Sequence, residues 1–230
     1  STTADVVAFY KGLNMVFHSA SALMGMTVGI VLMMTIGYDM LQLRMLESEN
    51  DPLTKLGNRR RLDRTMTEVE NGERQIGSAI VIDLDHFKRV NDVFGHDAGD
   101  EVLRAVGAKL LHILGPFGEV CRTGGEEFVI LIDEQYSPGT SALALSAREA
   151  IAQLTFEDVP ATTTITASVG FHRREGAESV SDSIQPADQA VYFATSVGRN
   201  RVAGSLHYKG LQLPKALACS PREAPPGITR

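Results

Sequence analysis

Two carboxylates stand at the end of an apolar run in the middle of this 230-residue chain. The segment GSAIVIDLDHF is typical of a buried strand, and side-chain alternation along a strand places Asp83 and Asp85 on one face. Neighbouring carboxylates repel each other unless a cation lies between them, and Mg²⁺ binds one or two carboxylates together with substrate phosphates. The pair therefore indicates a metal site, although a solvated strand end is the stronger interpretation of an isolated D-x-D pair.

A second cluster combines two glycines with two acids, Gly124-Gly125-Glu126-Glu127, before an apolar stretch that begins at Phe128. A Gly-Gly pair permits the positive-φ geometry of a two-residue hairpin turn, and its missing side chains let a ligand approach the backbone. Only one of the two acids can point to a given strand face, so Glu126 and Glu127 are expected to have different roles. A solubilising hairpin tip does not explain why this apolar strand opens with two carboxylates.

A third cluster offers polar groups that suit a purine base. A carboxylate can accept hydrogen bonds from N1–H and N2–H of guanine, and asparagine supplies both a donor and an acceptor. A polar loop with a helix cap is the simpler interpretation of the same residues. The cluster comprises Phe87, Lys88, Asn91, Asp92, Gly95, His96, Gly99 and Asp100. No G-x-x-x-x-G-K-[ST] motif occurs, which excludes a P-loop NTPase.

The segments around these clusters alternate between strand and helix patterns. EVCRTGGEEFVILI predicts a hairpin, and TTTITASVGFHR predicts a further strand. GDEVLRAVGAKLLHIL has apolar residues at helical spacing, Leu111 among them, and SALALSAREAIAQLTF is also helical. PADQAVYFATSVG predicts a helix with Pro186 near its start and Gly198 at its end. Interleaved strands and helices predict a single α/β domain with a covered sheet.

The N-terminal segment has the composition of a membrane span. No charged residue occurs from Gly12 to Tyr38, whereas about 20 apolar residues suffice to cross a bilayer. A buried core helix would be shorter and keep a polar face, and a signal peptide would have a shorter apolar region after a basic start. Lys11 alone precedes the span, whereas Arg44 and Arg59–Arg61 follow it. The positive-inside rule therefore places the C-terminal side in the cytoplasm.

Composition limits the partners and the compartment. There are 22 basic and 28 acidic residues, a net charge of −6, which argues against broad nucleic-acid binding. Cys121 and Cys219 lie far apart without metal-ligand spacing, which favours a reducing compartment.

Ile36, Met40 and Leu43 form a short apolar seam that suits a dimerising stalk or a plain juxtamembrane helix equally well. The predicted organisation is a flank at 1–11, a transmembrane helix at 12–38, a stalk at 39–50, a domain at 51–204 and a Pro-rich, disordered tail at 205–230.

Four motifs in register resemble the GGDEF domain of diguanylate cyclases. They are DPLTKLGNRRRL at 51–62, DLDHFKRVNDVFGHDAGDEVL at 83–103, the GGEEF variant of the name motif at 124–128, and VGRNRV at 197–202. The resemblance covers about two thirds of the chain. It implies an α/β fold with a central mixed sheet flanked by helices, like the palm of nucleotide cyclases and polymerases. It also implies that two GTP molecules are condensed into cyclic di-GMP with release of pyrophosphate.

The resemblance further implies roles for individual residues. Asp83 would hold two Mg²⁺ or Mn²⁺ ions per active site with its carboxylate, and Leu84 with its backbone carbonyl. Glu126 would complete the metal site and help to deprotonate the attacking ribose 3′-hydroxyl. The other expected positions are Asn91 and Asp100 on guanine, Phe87, Lys88, Arg122 and Arg199 on the phosphates and ribose, and Gly124, Gly125, Glu127 and Phe128 in the supporting turn.

Partners and departures also follow from the resemblance. One domain binds one GTP, so catalysis requires a second copy of the chain, here at the inner membrane of a bacterium with the domain in the cytoplasm. Gly115 and Gly118 stand where many members carry the R-x-x-D product-binding motif, so no product-inhibition site is expected. Thr195 replaces the usual lysine one helical turn before Arg199, which predicts weakened GTP binding.

Two alternative functions belong to other classes. A non-catalytic GTP-binding or receptor domain would signal by conformation, but such members usually lack the metal carboxylate or the second glycine. A cyclase that makes a mixed dinucleotide would lack the acid that recognises guanine, and Asp100 argues against it. The residues therefore favour an active, membrane-tethered diguanylate cyclase.

Overall fold

The computed structural model describes residues 3–157, 159–160, 162–176 and 178–205. The tail predicted for 205–230 lies outside the described residues apart from Ser205. The chain divides into two compact units, one that ends at Ser48 and one that begins at Glu49. The first unit consists of a single helix, α1 (Thr3–Glu47).

Helix α1 meets the length and composition requirements of a membrane-crossing helix. The segment Ala8–Tyr38 has a mean hydropathy of 1.8, and none of it is buried within the protein. A bilayer interior offers no water to hydroxyl groups, so polar side chains there need partners within the protein. The serine and threonine hydroxyls of Ala8–Tyr38 would meet this need, since each donates to a carbonyl of its own helix: Ser19 to Met15, Ser21 to His18, Thr27 to Met24 and Thr35 to Val31.

The second unit alternates helices and strands, as the sequence patterns predict. Its elements are α2 (Arg59–Glu70), β1 (Ile76–Leu84), α3 (Phe87–Phe94), α4 (His96–Leu114), β2 (Gly118–Arg122), β3 (Glu127–Asp133), α5 (Thr140–Ala152), β4 (Ala167–Arg173), α6 (Val180–Ser196) and β5 (Val202–Gly204). The strands form one sheet in the order β2-β3-β1-β4-β5. Only β4 and β5 run parallel, so the sheet is mixed. The predicted fold class is confirmed.

Strand β1 lies at the centre of the sheet and is buried on both faces. Ile80 and Ile82 pack into the core formed with α4 and α5, whereas Ala79 and Val81 pack into the core formed with α6 and α2. This burial on both sides explains why β1 is an uninterrupted apolar run instead of an alternating one. The alternation continues to the end of the strand and places Asp83 on the α2/α6 face.

The start of one helix differs from the sequence prediction, and one apolar residue of another helix is exposed. Helix α6 begins at Val180, six residues before Pro186, because the Ser179 side chain caps it by accepting a hydrogen bond from a backbone N–H. Pro186 therefore lies inside the helix. Leu111 is 50% exposed, because it lies on the outward side of α4 while the adjacent Leu110 points into the core.

Candidate functional site

The acidic site lies where β1 ends beside the turn between β2 and β3. In the antiparallel pairing of β1 with β3, Asp83 lies directly opposite Glu127, so their side chains share a face. Glu126 precedes Glu127 in the turn, and its carbonyl accepts a hydrogen bond from the Leu84 N–H at 3.3 Å. Asp83, Glu126 and Glu127 line one cavity together with the two glycines of the turn. The fold thus brings together acids from two separate sequence motifs.

The carboxylates of this site repel one another. Burial raises the pKa of the Asp83 carboxyl to about 7, and the nearby carboxylates of Glu126, Glu127, Asp85 and Asp188 add to the rise. Burial also raises the pKa of Glu126, again with a contribution from Glu127. Among the residues that the structure describes, no Lys, Arg or His forms an ion pair with Asp83, Glu126 or Glu127. Such a cluster of carboxylates is suited to a cation that comes from outside the chain.

The turn differs from the predicted two-residue hairpin. Four residues, 123–126, join the strands, and the Thr123 N–H donates to the Glu127 carbonyl at 3.0 Å. Neither glycine of the turn has a positive φ; the described glycines that do are Gly72, Gly95, Gly176 and Gly198. A Cβ on Gly124 would lie 2.7 Å from a carboxylate oxygen of Glu127, whereas one on Gly125 would meet nothing within 4 Å. Gly124 thus makes room for the acid, and Gly125 leaves the backbone open.

Arg122 fixes the turn to the start of the domain. Its guanidinium donates to the Gly125 carbonyl at 2.8 Å and to the Asp51 carboxylate at 3.0 Å. Burial alone would raise the pKa of Asp51, but hydrogen bonds from Thr54 and Arg122 outweigh it and lower the pKa. The motif that begins at Asp51 therefore lies against the glycine turn, and some of the N–H groups of Arg122 donate hydrogen bonds within the protein. Its expected contact with phosphates stays a prediction.

Helices α3 and α4 bring together the residues predicted to bind guanine. Asn91 lies in α3, and the partly exposed Asp100 lies in the first turns of α4. A Cβ on Gly99 would lie 1.9 Å from the Asn91 side-chain oxygen and 3.3 Å from the Phe87 ring, so only glycine leaves room for both. The Phe87 ring is 5% exposed, which leaves its backbone N–H, at the start of α3, as its possible phosphate contact. The adjacent Lys88 is exposed.

The predicted alignment of Thr195 with Arg199 on one helix face is wrong. Helix α6 ends before Arg199 in a C-terminal cap, where Gly198 has a φ of 119° and the Arg199 N–H donates to the Ala194 carbonyl at 3.0 Å. Arg199 itself has a left-handed φ of 62°. The Thr195 hydroxyl donates to the Val191 carbonyl at 3.0 Å, so its single donor is used within the helix.

Asp85 has a role that the D-x-D pattern did not predict. The side chain is 7% exposed and accepts hydrogen bonds from the hydroxyls of Thr166 and Ser168 at 2.7 Å and from the Asn200 N–H at 2.9 Å. The carboxylate is therefore occupied by the protein, and the metal site predicted for the pair is left to Asp83. No spacing could have revealed these partners, because they lie 81, 83 and 115 residues further along the chain.

Comparison with known proteins identifies the family. Residues 48–201 match the family described as "Diguanylate cyclase, GGDEF domain". The chain belongs to the GGDEF diguanylate cyclase family. It is 40% identical over 155 residues to the diguanylate cyclase DgcP of Pseudomonas aeruginosa, a match that covers 66% of this chain and 23% of DgcP. It is 34% identical over 184 residues to DgcM of Escherichia coli, covering 76% of this chain and 44% of DgcM. The chain thus spans less than half the length of these curated relatives.

Solved structures support the same assignment. The GGDEF domain of DgcB from Caulobacter crescentus, in complex with c-di-GMP, matches with a TM-score of 0.61 and 31% identity, covering 70% of this chain and 97% of that one. The active GGEEF domain of a diguanylate cyclase from Vibrio cholerae matches with a TM-score of 0.58 and 32% identity, covering 64% of this chain and 96% of that one. The family fold therefore accounts for the second unit of this GGDEF chain.

The donor set of this GGDEF domain fits a hard divalent cation. Across the described residues, no three His, Cys, Asp or Glu side chains converge as a complete ligand group. Mg²⁺ does not need one, since it retains waters and takes one or two carboxylates together with substrate phosphates. Asp83 and Glu126, both partly buried and without a cationic partner among the described residues, supply such a pair.

The glycines expected in place of an R-x-x-D motif lie at the start of β2. Gly115 begins a short 3₁₀ helix and Gly118 is the first residue of the strand. A Cβ on Gly118 would lie 1.9 Å from the Leu131 carbonyl oxygen. Aspartate could not replace Gly118 without displacing the β2–β3 backbone, and the predicted lack of a product-inhibition site remains to be tested.

Proposed function

We propose that this chain is a diguanylate cyclase, which condenses two GTP molecules into cyclic di-GMP and releases pyrophosphate. One observation carries the proposal: Asp83 and Glu126 share a cavity without a cationic partner among the described residues, and the pKa of Asp83 is raised to about 7. Carboxylates in this state suit a site that binds metal and nucleotide. The family, and relatives named as diguanylate cyclases, support the same activity.

Asp83 and Glu126 would hold the divalent metal ions, Mg²⁺ or Mn²⁺, with help from the Leu84 carbonyl. When bound, such ions neutralise phosphate charge and acidify a coordinated hydroxyl. Glu126 has a raised pKa, which makes it a better proton acceptor for the ribose 3′-hydroxyl. The 3′-oxygen forms a bond to the α-phosphorus of the second GTP, and the bond from that phosphorus to the β-phosphate oxygen breaks.

The remaining predicted residues would orient the substrate. Asn91 and Asp100 would bind the guanine edge, because a carboxylate and a carboxamide together match its donors and acceptor. The phosphates would lie at the N-terminus of α3, which offers backbone N–H donors and the Lys88 ammonium group. Arg199 would approach them from the turn after α6.

Catalysis would require two copies of the chain, since each domain holds one GTP and each product contains two. Helix α1 would tether both copies to the inner membrane of a bacterium, with the catalytic domains in the cytoplasm. Tethering raises the effective concentration of one domain around the other without any new contact. The basic residues that follow the span support this orientation.

The decisive experiment incubates the purified full chain in detergent with GTP and Mg²⁺ and identifies the product by mass spectrometry. We expect cyclic di-GMP and pyrophosphate, with a specific activity that rises with protein concentration. ATP in place of GTP, and EDTA in place of Mg²⁺, are the controls and should give no cyclic dinucleotide. Tight GTP binding without any product would instead support the receptor-domain alternative.

Membrane attachment has its own test. The full chain should sediment with the membrane fraction and should require detergent for release, because the hydroxyl groups of the span are satisfied within the helix. Quantitative recovery in a detergent-free soluble fraction would contradict the tether without affecting the proposed chemistry.

A further inference from the structure

The carboxylate of Asp85 joins three segments that lie far apart in the sequence. Its Oδ1 atom accepts a hydrogen bond from the hydroxyl of Ser168, in β4, at 2.7 Å. Its Oδ2 atom accepts two hydrogen bonds. One comes from the hydroxyl of Thr166, just before β4, at 2.7 Å, and the other from the backbone N–H of Asn200, beyond α6, at 2.9 Å. A buried carboxylate is costly unless its oxygens are satisfied, so these bonds fix the position of all three partners.

One of those partners belongs to a backbone that needs support. Arg199 and Asn200 have φ angles of 62° and 44°, and consecutive left-handed residues that are not glycine are disfavoured. Such a conformation persists only where the surroundings hold it. The Arg199 N–H is held by the Ala194 carbonyl, the Asn200 N–H by Asp85, and the Asn200 side-chain oxygen by Arg148 at 3.0 Å. Among these hydrogen bonds of the described residues, the one to Asp85 joins the turn to the end of β1, the strand that carries Asp83.

We propose that Asp85 is a positioning residue for Arg199: by holding the Asn200 amide, it sets the orientation in which Arg199 meets the GTP phosphates. The inference rests on the proposed function, since it takes Arg199 as a phosphate ligand. Asp83 and Asp85 lie two residues apart, so one strand end would hold the metal with one carboxylate and the phosphate-binding turn with the other. The position of Arg199 relative to the Asp83 carboxylate would then be fixed at the end of β1.

Two substitutions separate anchoring from charge. Asp85→Ala and Asp85→Asn both remove the negative charge close to Asp83. Only asparagine keeps an oxygen that can accept the Asn200 N–H, while its NH₂ group can donate to the Ser168 hydroxyl. We expect Asp85→Ala to raise the KM for GTP about tenfold with little change in kcat, and Asp85→Asn to raise it less than about threefold. Equal effects of the two substitutions would overturn the proposal, because charge alone would then explain them.

A double-mutant cycle tests whether Asp85 acts through Arg199. Combined with Arg199→Ala, Asp85→Ala should raise the KM less than about twofold, since the arginine that it positions is already gone. A tenfold rise in both backgrounds would show independent action and would overturn the proposal. Amide hydrogen exchange gives a readout that does not depend on turnover: peptides covering 197–201 should exchange faster in Asp85→Ala and near the parental rate in Asp85→Asn. Unchanged protection in Asp85→Ala would also overturn it.

Two further arms keep the test decisive. If circular dichroism shows that Asp85→Ala does not fold, Thr166→Val takes its place in the cycle, because it removes a partner of the same carboxylate oxygen. We expect a KM increase of about threefold that disappears in the Arg199→Ala background, and an increase that persists there contradicts the proposal. If the parent chain makes no cyclic di-GMP, the proposed function fails. The GTP affinity from calorimetry then replaces the KM, and the same order of effects is required.

Discussion

The hairpin of β2 and β3 carries acidic residues at both of its ends, and the two ends have different surroundings. Where β2 starts and β3 ends, Glu119 and Asp133 share one partner, Arg74, whose guanidinium donates to them at 3.2 Å and 3.0 Å. Partial burial would lower the pKa of Arg74, but its bonds to Asp133 and Glu119 outweigh this and raise it. This is a satisfied ion network, whose charges stabilise one another.

At the opposite end, the carboxylates repel instead. Asp83, Glu126 and Glu127 have no ion pair within the described ranges, and the pKa of Asp83 is raised to about 7. An unpaired acidic cluster lowers the free energy of unfolding. Its presence in the same sheet as a paired network indicates that the cluster serves ligand binding or catalysis and not stability. On this sheet, an acid without an ion-pair partner among the described residues therefore marks the candidate site, whereas a paired acid stabilises the fold.

The largest expected effect comes from neutralising one acid at each end. Glu126→Gln should lower kcat at least about a hundredfold while the melting temperature stays or rises, because it removes a proposed metal ligand and a source of repulsion. Glu119→Gln should leave kcat near the parental value but lower the free energy of unfolding by about 1.5–3 kcal/mol, since Arg74 and Arg61 both lose a charged acceptor. Steady-state kinetics and urea unfolding of both variants measure the contrast.

Similar changes in kcat and in unfolding free energy for the two substitutions would contradict the distinction between the two ends of the hairpin. Near-parental turnover in Glu126→Gln would remove this residue from the metal site and from proton transfer. A loss of turnover in Glu119→Gln at full stability would extend the functional region to the paired end.

The next effect depends on pH. The pKa of Asp83 is about 7 in the folded protein, against an ordinary value of 3.8, so the folded state binds the proton more tightly than the unfolded state. The stability associated with this group is complete below pH 3.8 and is lost as the pH rises to about 7. Without metal, Asp83→Asn should therefore melt at a higher temperature than the parent at pH 8, and the difference should vanish near pH 4. Thermal melts in EDTA measure it.

Metal binding should show the opposite trend. A divalent cation competes with the proton for Asp83, so Mg²⁺ affinity should fall about tenfold per unit as the pH drops below 7. Calorimetric Mg²⁺ titrations at pH 6 and pH 8 measure the change. A parent that is more stable than Asp83→Asn at pH 8 in EDTA, or a Mg²⁺ affinity that is independent of pH, would show that Asp83 is not the strained acid of this site.

Two crowded glycines, one in α4 and one at the paired end of the hairpin, sharpen the contrast further. A Cβ on Gly99 would displace the Asn91 carboxamide, so Gly99→Ala should raise the KM for GTP about tenfold at nearly full stability. A Cβ on Gly77, at the paired end, would lie 2.6 Å from a Glu134 carboxylate oxygen and from the Ser137 Cβ. Gly77→Ala should destabilise the fold and leave the KM unchanged. Similar KM values for the two variants would contradict the assignment of Asn91 to guanine.

Much of the acidic site was predictable from the sequence, because local patterns decide it. The apolar run that ends at Asp83 and the strand that follows Glu126 are both typical of a covered sheet. Pairing of these two strands brings the two acids close together. Leu111 follows the apolar spacing of α4 and is still 50% exposed, because helical spacing gives a periodic pattern but not the width of the buried face. The predicted helix start at Pro186 was wrong because the Ser179 cap, seven residues earlier, carries no apolar signal of its own.

The turn that carries Arg199 depends on contacts that no local pattern contains. Asp85 finds Asn200 across 115 residues, and nothing in D-x-D distinguishes the acid that faces solvent from the acid that the fold encloses. The position of Arg199 was within reach of sequence reasoning. Gly198 was predicted to end α6, and a residue beyond a helix end does not share the face of Thr195.

The smallest expected effect is therefore at Thr195. On an unbroken helix, lysine at this position would point with Arg199 at the phosphates, and the extra charge-assisted hydrogen bond would lower the KM for GTP about tenfold. Arg199 lies beyond the end of α6, after the cap at Gly198, and the partly buried Thr195 has its hydroxyl bonded to the Val191 carbonyl. We expect Thr195→Lys to lower the KM less than about threefold with the product unchanged, and Thr195→Val, the control without a hydroxyl, to leave it at the parental value. Steady-state kinetics at matched Mg²⁺ and ionic strength measure both, because phosphate contacts depend on salt. A tenfold decrease in the lysine variant would show that position 195 faces the phosphates despite the cap, and the acidic end of the sheet would then gain the cation that the described structure does not supply.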